Sequence, residues 1–288
     1  MDNFSTYFPP QKKPLLLNLI DLAWQEDGED PSSLIFPSDH TSSAKLIAKA
    51  HGLIAGLPLL NLIQEKFKLS LKITLLVHEG ARVKPRQVIA KIQGKTRDLL
   101  RAERIFLNFL SHLSGIATLT SKYVEKTKPY GVTLLDTRKT LPGMRYLEKY
   151  AVQVGGGKNH RLNLSEMIML KDNHLAAFPH LQEAVKTLRT QLNPCPPIEV
   201  ECGTLEEVKA AIKTQVDRIM LDNMSLKQAK ECLALIPSHI ETEISGNIDL
   251  NNIEAYARLK PTYISVGKLT HSAPALDLSL KIEGKNEK

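Results

Sequence analysis

Apolar positions along the chain follow two different rhythms. In the first part, residues 15–24 repeat apolar side chains at helical spacing and stop at the acidic turn EDGEDP, which predicts an amphipathic helix. A second helical pattern spans residues 43–50. Residues 51–98 alternate in a strand-like way, with turn signals at Gly52, Gly56, Gly80 and Gly94. Within them, EGARVKPRQVIAKIQG reads as a small sheet. Residues 98–119 predict a strong helix, with Leu99, Leu100, Ile105, Phe106, Phe109, Leu110 and Leu113 on an apolar stripe beside Arg101 and Arg104. From residue 131 the rhythm changes. Short apolar runs at 132–135, 167–170, 198–200, 219–221, 240–244 and 263–266 are each followed by a polar loop and, mostly, a helical segment. Helices are expected at 181–192, 204–214, 226–235 and 251–259. Alternating strands and helices imply a parallel sheet. Six such strands, with a seventh sought between residues 142 and 166, predict a closed or nearly closed α/β barrel. An open doubly wound sheet is the alternative.

Composition narrows the class. The 288 residues suggest about two domains, and 42% hydrophobic with 24% charged residues is ordinary for a soluble globular protein. No stretch approaches the ~20 uninterrupted apolar residues that span a bilayer. The apolar run at residues 15–20 lacks the basic start and cleavage site of a signal peptide. Cys195, Cys202 and Cys232 form no CxxC pair and read as reduced thiols, which points to the cytoplasm. The formal charge is +7, and it is concentrated: between Thr137 and Lys171, seven Lys or Arg face only Glu148 and Glu166, so this segment alone carries +5. Aromatic residues make up 5% and none interleaves with these cations, which argues against nucleic acid and for a small polyanion.

The strand ends carry the chemistry. In α/β barrels the reactive groups sit where strands end. Here the early strands lead to the cations Arg138, Lys139 and Lys171, and the loop GGGKNHR adds His160 and Arg161. The middle strands end in Glu201 and Asp222; the last two end in Ser245-Gly246-Asn247 and in Gly267. Two glycine-containing turns after the last strands suit phosphate, because backbone N–H groups can approach its oxygens. Glu201 and Asp222 end neighbouring strands roughly 4.8 Å apart and can share a hard cation; pairing with a nearby Lys or Arg is the alternative. The cations suit a planar polycarboxylate, which the arginine fork binds bidentately. No GxSxG, HExxH, Walker loop or dinucleotide-binding glycine motif is present.

The block LLDTRKTLPGMRYLEKYAVQVGGGKNHRLNLSEMIMLKDNH resembles the quinolinate phosphoribosyltransferase family, as do ERIFLNFLSHLSGIATLT, IEVEC, RIMLDNM, EISGNI and YISVGKLTHSAPALDLSL. The resemblance covers residues 98–280; the N-terminal third is looser, and EDGEDPSSLIF carries no function over. The family implies an N-terminal α/β sandwich, here residues 1–115 with a tail at 275–288 packing back on it, and an incomplete seven-stranded barrel at 116–274. It implies phosphoribosyl transfer from phosphoribosyl pyrophosphate to quinolinate with loss of CO2, Mg2+ as cofactor, and a homodimer or higher oligomer. It implies quinolinate contacts at Arg104 from the partner subunit, Thr137, Arg138, Lys139, His160, Arg161 and Lys171. Phosphoribosyl pyrophosphate and magnesium would fall to Lys139, Lys171, Glu201, Asp222, Ser245, Gly246, Asn247 and Gly267, with His271 nearby. Lys139, Lys171, Glu201 and Asp222 are the expected catalytic set. Three rivals remain at this point: a sibling transferase acting on a mono-acid, a basic nucleic-acid binder, and a barrel lyase using Lys171 as a Schiff base.

Overall fold

The structure, a computed structural model, describes residues 4, 7–9, 12–178 and 180–283. The chain forms two compact units. One is the chain up to Leu119 with Leu141–Gly155 and the segment from Ala273; the other is Thr120–Thr140 with Gly156–Ser272. Residues 141–155, expected in the barrel, thus group with the first unit.

In the first unit, helix α1 (Lys13–Asp27) starts at a proline-led turn and buries Leu16 and Ile20. Strand β1 (Thr41–Ala48) overturns the expected helix at residues 43–50. Ala, Lys and Leu favour helix intrinsically, but Ala44, Leu46 and Ala48 alternate into the core, and that period-2 burial decides the conformation. A two-residue strand, β2 (Gly52–Leu53), precedes helix α2 (Leu57–Lys66), which lies inside the segment expected to be strand-like throughout. Gly56, at φ 101°, turns the chain into this helix. The Glu79 carboxylate then accepts from the N–H groups of Gly56 at 2.6 Å and Leu57 at 2.9 Å. A remote carboxylate therefore satisfies amides that no local cap reaches. Strands β3 (Leu71–Leu75), β4 (Arg82–Val83) and β5 (Val88–Lys95) follow. The last described strand, β12 (Leu278–Ile282), pairs with β1 and completes an antiparallel sheet of order β12-β1-β5-β3. Residues 284–288 of that tail lie outside the described residues.

Helix α3 (Thr96–Thr127) extends beyond the expected 98–119 and buries Leu99, Ala102, Phe106, Leu110 and Leu113 along one stripe. Helix α4 (Arg145–Val154) occupies part of the stretch where a seventh strand was sought.

The second unit is a parallel sheet. Its strands are β6 (Thr133–Leu135), β7 (Ile168–Leu170), β8 (Ile198–Cys202), β9 (Arg218–Asp222), β10 (Glu241–Ser245) and β11 (Tyr263–Ser265), in the order β6-β11-β10-β9-β8-β7. The seventh strand is reduced to one bridge, Leu135 with Lys158, in which Lys158 N–H donates to Leu134 and Asp136 N–H donates to Lys158. Helices α5 (Asp172–Ala177), α6 (Leu181–Gln191), α7 (Leu205–Lys213), α8 (Leu226–Leu233), α9 (Ile253–Ala257) and α10 (Lys268–His271) follow strands β7 to β11. Helices α7 and α8 open on capping boxes, Thr204 with Glu207 and Ser225 with Gln228, which stop each strand-to-helix turn at a defined residue.

Candidate active site

Parallel strands in one register bring every C-terminal end to the same rim, and side chains two apart share a face. Glu199 and Glu201, Met220 and Asp222, and Glu243 and Ser245 are therefore stacked pairs on the inner face. The upper members and the loops beyond them surround a cavity of about 650 Å³. Of the residues singled out in the sequence, Thr137, Arg138, Lys139, His160, Arg161, Lys171, Glu201, Asp222, Ser245, Gly246 and Asn247 line it. Gly267 and His271 stand beside Lys139: a Cβ on Gly267 would come 3.1 Å from both His271 Nε2 and Lys139 Cδ. Arg104 belongs to the other unit, exposed on α3.

The rim is held from behind. Thr137 Oγ1 accepts from Lys139 N–H at 3.1 Å, and Thr270 Oγ1 of α10 donates to the Lys139 carbonyl at 2.7 Å. Asp136, fully buried, accepts from His160 N–H at 2.9 Å and Asn159 Nδ2 at 2.6 Å, tying the glycine-rich loop to the end of β6. The turn after β10 needs its glycine: Gly246 sits at φ +90°, and a Cβ there would collide with Asn223. Asn247 Nδ2 donates to Asn223 Oδ1 at 2.9 Å, joining this turn to the one after β9.

The two ends of the cavity differ in charge. Arg138 and Arg161 lie close enough that Arg138, after burial, is the main influence lowering Arg161's affinity for its proton. Arg138 Nε is buried without a hydrogen-bond partner. Two guanidiniums and an unused donor in one mouth make a receptor for an anion. Opposite them, Lys171 Nζ lies 3.2 Å from Glu201 Oε2, so that carboxylate already holds a cation. Asp222 accepts from Asn223 Nδ2 at 2.6 Å and carries no ion pair among the described residues.

Below the rim lies a charged group that the strand-end reading missed. Glu199 and Glu243 are fully buried, and His160 Nε2 lies 2.9 Å from the first and 3.4 Å from the second. Arg218 bonds Glu243 at 3.2 Å and Glu241 at 2.8 Å, and its guanidinium stacks 4.1 Å over the Tyr263 ring. The signal was present: in IEVEC the two glutamates alternate, so whatever turns Glu201 inward turns Glu199 inward too. Burial pushes His160 down, but hydrogen bonds and charge from both glutamates outweigh it and lift the ring to about 9. Burial and the charge of Glu243 push Glu199 up to about 7. Glu243 moves the other way despite burial, lowered by His160, Ser265 and Arg218. A second proton on His160 would have to enter at Nδ1, where the Arg161 N–H already donates at 2.8 Å. When the ring is neutral, that bond puts its one proton on Nε2. The His160–Glu199–Glu243 set has the donors of a metal site, but 2.9 Å between nitrogen and oxygen is a hydrogen bond, and Arg218 already supplies the positive charge at Glu243.

Comparison with known proteins agrees with this geometry. Residues 31–114 match the family described as quinolinate phosphoribosyl transferase, N-terminal domain, and residues 116–281 match the C-terminal domain of the same enzyme. The chain is 39% identical over 290 residues to quinolinate phosphoribosyltransferase [decarboxylating] 2b, mitochondrial, of Nicotiana tabacum, covering 93% of this chain and 82% of that one. It is 43% identical over 246 residues to a probable nicotinate-nucleotide pyrophosphorylase [carboxylating] of Synechocystis, covering 84% and 83%. Among solved structures, NadC from Streptococcus pyogenes superposes with a TM-score of 0.87 at 40% identity, over 93% of this chain and 95% of that one. The nicotinate-nucleotide pyrophosphorylase of Francisella tularensis gives 0.88 at 34%, over 94% and 96%.

Proposed function

Because this chain belongs to the quinolinate phosphoribosyltransferase family, we propose that the mouth of its barrel divides the family reaction between a cationic end and an acidic, glycine-rich end. The reaction moves phosphoribose from phosphoribosyl pyrophosphate to the ring nitrogen of quinolinate and releases pyrophosphate and CO2, leaving nicotinate mononucleotide, a step of NAD biosynthesis. The rival activities considered from the sequence fall away with that assignment.

Arg138 and Arg161 hold the carboxylates of quinolinate, with Thr137 and the Lys139 side chain beside them. The observation that carries this reading is the buried, unpartnered Nε of Arg138 next to a second guanidinium. Both features cost stability unless an anion joins them. Ser245, Gly246, Asn247 and Gly267 cradle phosphate, and His271 stands behind Gly267. The ring nitrogen attacks the anomeric carbon as the bond to pyrophosphate breaks, and the electron pair of that bond leaves with the pyrophosphate. Fixed charges suit that step, since cationic ribose and anionic leaving group develop together. Lys139 and Lys171 orient the 2-carboxylate. When the bond from C2 to that carboxylate breaks, its electron pair stays on C2 beside the quaternary nitrogen, and C2 takes a proton.

Magnesium fits the donor set. Asp222 offers a hard oxygen without an ion pair, whereas Glu201 offers one that Lys171 already engages. Mg2+ takes one or two carboxylates plus substrate phosphates, so Asp222 is its main protein ligand and Glu201 the second. When bound it neutralises pyrophosphate charge. Arg104, exposed on α3, acts in a partner subunit's site within a homodimer. The free thiols Cys195, Cys202 and Cys232 support a cytoplasmic setting. No helix among the described residues is long and apolar enough to cross a membrane.

Steady-state kinetics of Arg138→Lys and Arg161→Lys test the division. A single ammonium cannot reproduce a bidentate fork. Each variant is expected to raise KM for quinolinate about tenfold or more while moving KM for phosphoribosyl pyrophosphate little. The reverse pattern would exchange the two ends of the cavity.

A further inference from the structure

Two acids in the interior of the barrel are an expensive way to fill space, since apolar residues of similar volume pack as well or better. Glu199 and Glu243 each leave one oxygen, Oε1, buried without a hydrogen-bond partner, so the pair is not there to satisfy itself. The remaining oxygens converge on one atom, His160 Nε2. A carboxylate can only accept, so that nitrogen must carry the ring proton. The other nitrogen then presents a lone pair, and the Arg161 N–H donates to it at 2.8 Å. Arg161 is further fixed by Nη1 on the Met167 carbonyl at 2.9 Å, and it is one of the residues that line the cavity. Both ring nitrogens of His160 are thus engaged by protein groups. The contacts run in one direction, from a buried acid through a ring to the residue at the mouth.

We propose that Glu199, assisted by Glu243, is a positioning residue: it fixes the tautomer and ring plane of His160, and His160 in turn fixes the backbone of Arg161 and so the aim of its guanidinium at the substrate. The logic is that of a carboxylate holding an imidazole in a single tautomer for a neighbour that needs its other nitrogen. It rests on the reading that Arg161 holds quinolinate.

The test uses the full chain with its nine histidines labelled with 15N. His160→Gln identifies the His160 signals. In spectra taken above pH 9, where the ring is neutral, the wild type is expected to show Nε2 protonated and Nδ1 bare. In Glu199→Gln the amide can donate as well as accept, so the only obligate acceptor left to Nε2 is Glu243, at the longer distance of 3.4 Å. That variant is expected to lose the single tautomer and to raise KM for quinolinate by about ten- to hundredfold, as a displacement of about 1 Å can. KM for phosphoribosyl pyrophosphate is expected to stay within about twofold. Glu199→Asp, which keeps the accepting charge, is expected to restore the tautomer and part of the affinity. A neutral wild-type ring protonated on Nδ1 overturns the proposal. So does a Glu199→Gln protein whose tautomer and quinolinate KM are unchanged. Should Glu199→Gln not fold, the wild-type spectrum and Glu199→Asp decide. If Arg161→Lys leaves quinolinate KM unaltered, the binding reading falls, while the spectra still judge the link from Glu199 to His160.

Discussion

Arg138 and Arg161 share one mouth although each disfavours the other's charge, and Lys171 has taken Glu201 as a partner. At the scale of single residues, the site is a set of charges that its own protein neighbours leave incompletely balanced. Asp222 and Glu201 look alike in sequence, but only Glu201 carries an ion pair. Asp222→Asn is therefore expected to raise the Mg2+ concentration needed for half-maximal activity about tenfold, and Glu201→Gln less, read by metal titration of the rate. Gly246→Ala forces a side chain into φ +90° against Asn223. It is expected to cost about 1–3 kcal/mol of strain and to appear as a raised KM for phosphoribosyl pyrophosphate. Cysteine chemistry separates by burial. Burial, with Glu207 next, pushes Cys202 up to about 12, and burial also raises Cys232. Because the thiolate is the reactive form, both thiols are expected to resist iodoacetamide at pH 8, while the partly exposed Cys195 alkylates, as peptide mass mapping would show.

At the scale of elements, what was legible depended on whether a segment's burial pattern was its own. The strands of the second unit stood out because each is a short, largely apolar run closed by a charge or, in the last two, by a glycine turn, and observed and expected boundaries differ by at most two residues. Helix α3 stood out because its stripe is long. Strand β1 did not, because SSAKLIAKA carries helix-favouring residues and becomes a strand only by pairing with β5 and β12. Helix α2 was hidden for a related reason: its N-terminal amides are satisfied by Glu79, more than twenty residues away. Glu79 also accepts from Tyr150 Oη at 2.9 Å, so it joins α2 to α4. Glu79→Ala removes three charge-assisted bonds of about 1.5–3 kcal/mol each and is expected to cost at least about 4 kcal/mol, measurable as a lower urea midpoint.

For the whole molecule, the proposed sharing of Arg104 between subunits has a direct test. It stands exposed on α3, while the cations it would join lie in the other unit. If a partner subunit supplies it, Arg104→Ala and Lys139→Ala proteins, each inactive alone, regain activity when unfolded together and refolded as a mixture. Random pairing makes half the dimers mixed, each with one complete site, so recovery of about a quarter of wild-type activity is expected. No recovery would place Arg104 in its own chain's site or outside any.

The linear order of residues determined by itself the alternation of strand and helix, the charges at the strand ends and the family, because each of these is a local pattern that survives without knowing its neighbours. The seventh strand sought between residues 142 and 166 is not among the described strands, and Lys158 makes only an isolated bridge to Leu135. Tertiary structure decided what depends on pairing across the chain. It made β1 a strand, returned residues 141–155 to the first unit, turned Lys171 onto Glu201, and set Glu199, Glu243 and Arg218 around His160. The reason is physical: a carboxylate's role is set by the donors that reach it, and here those donors come from strands and loops 25 to 83 residues away.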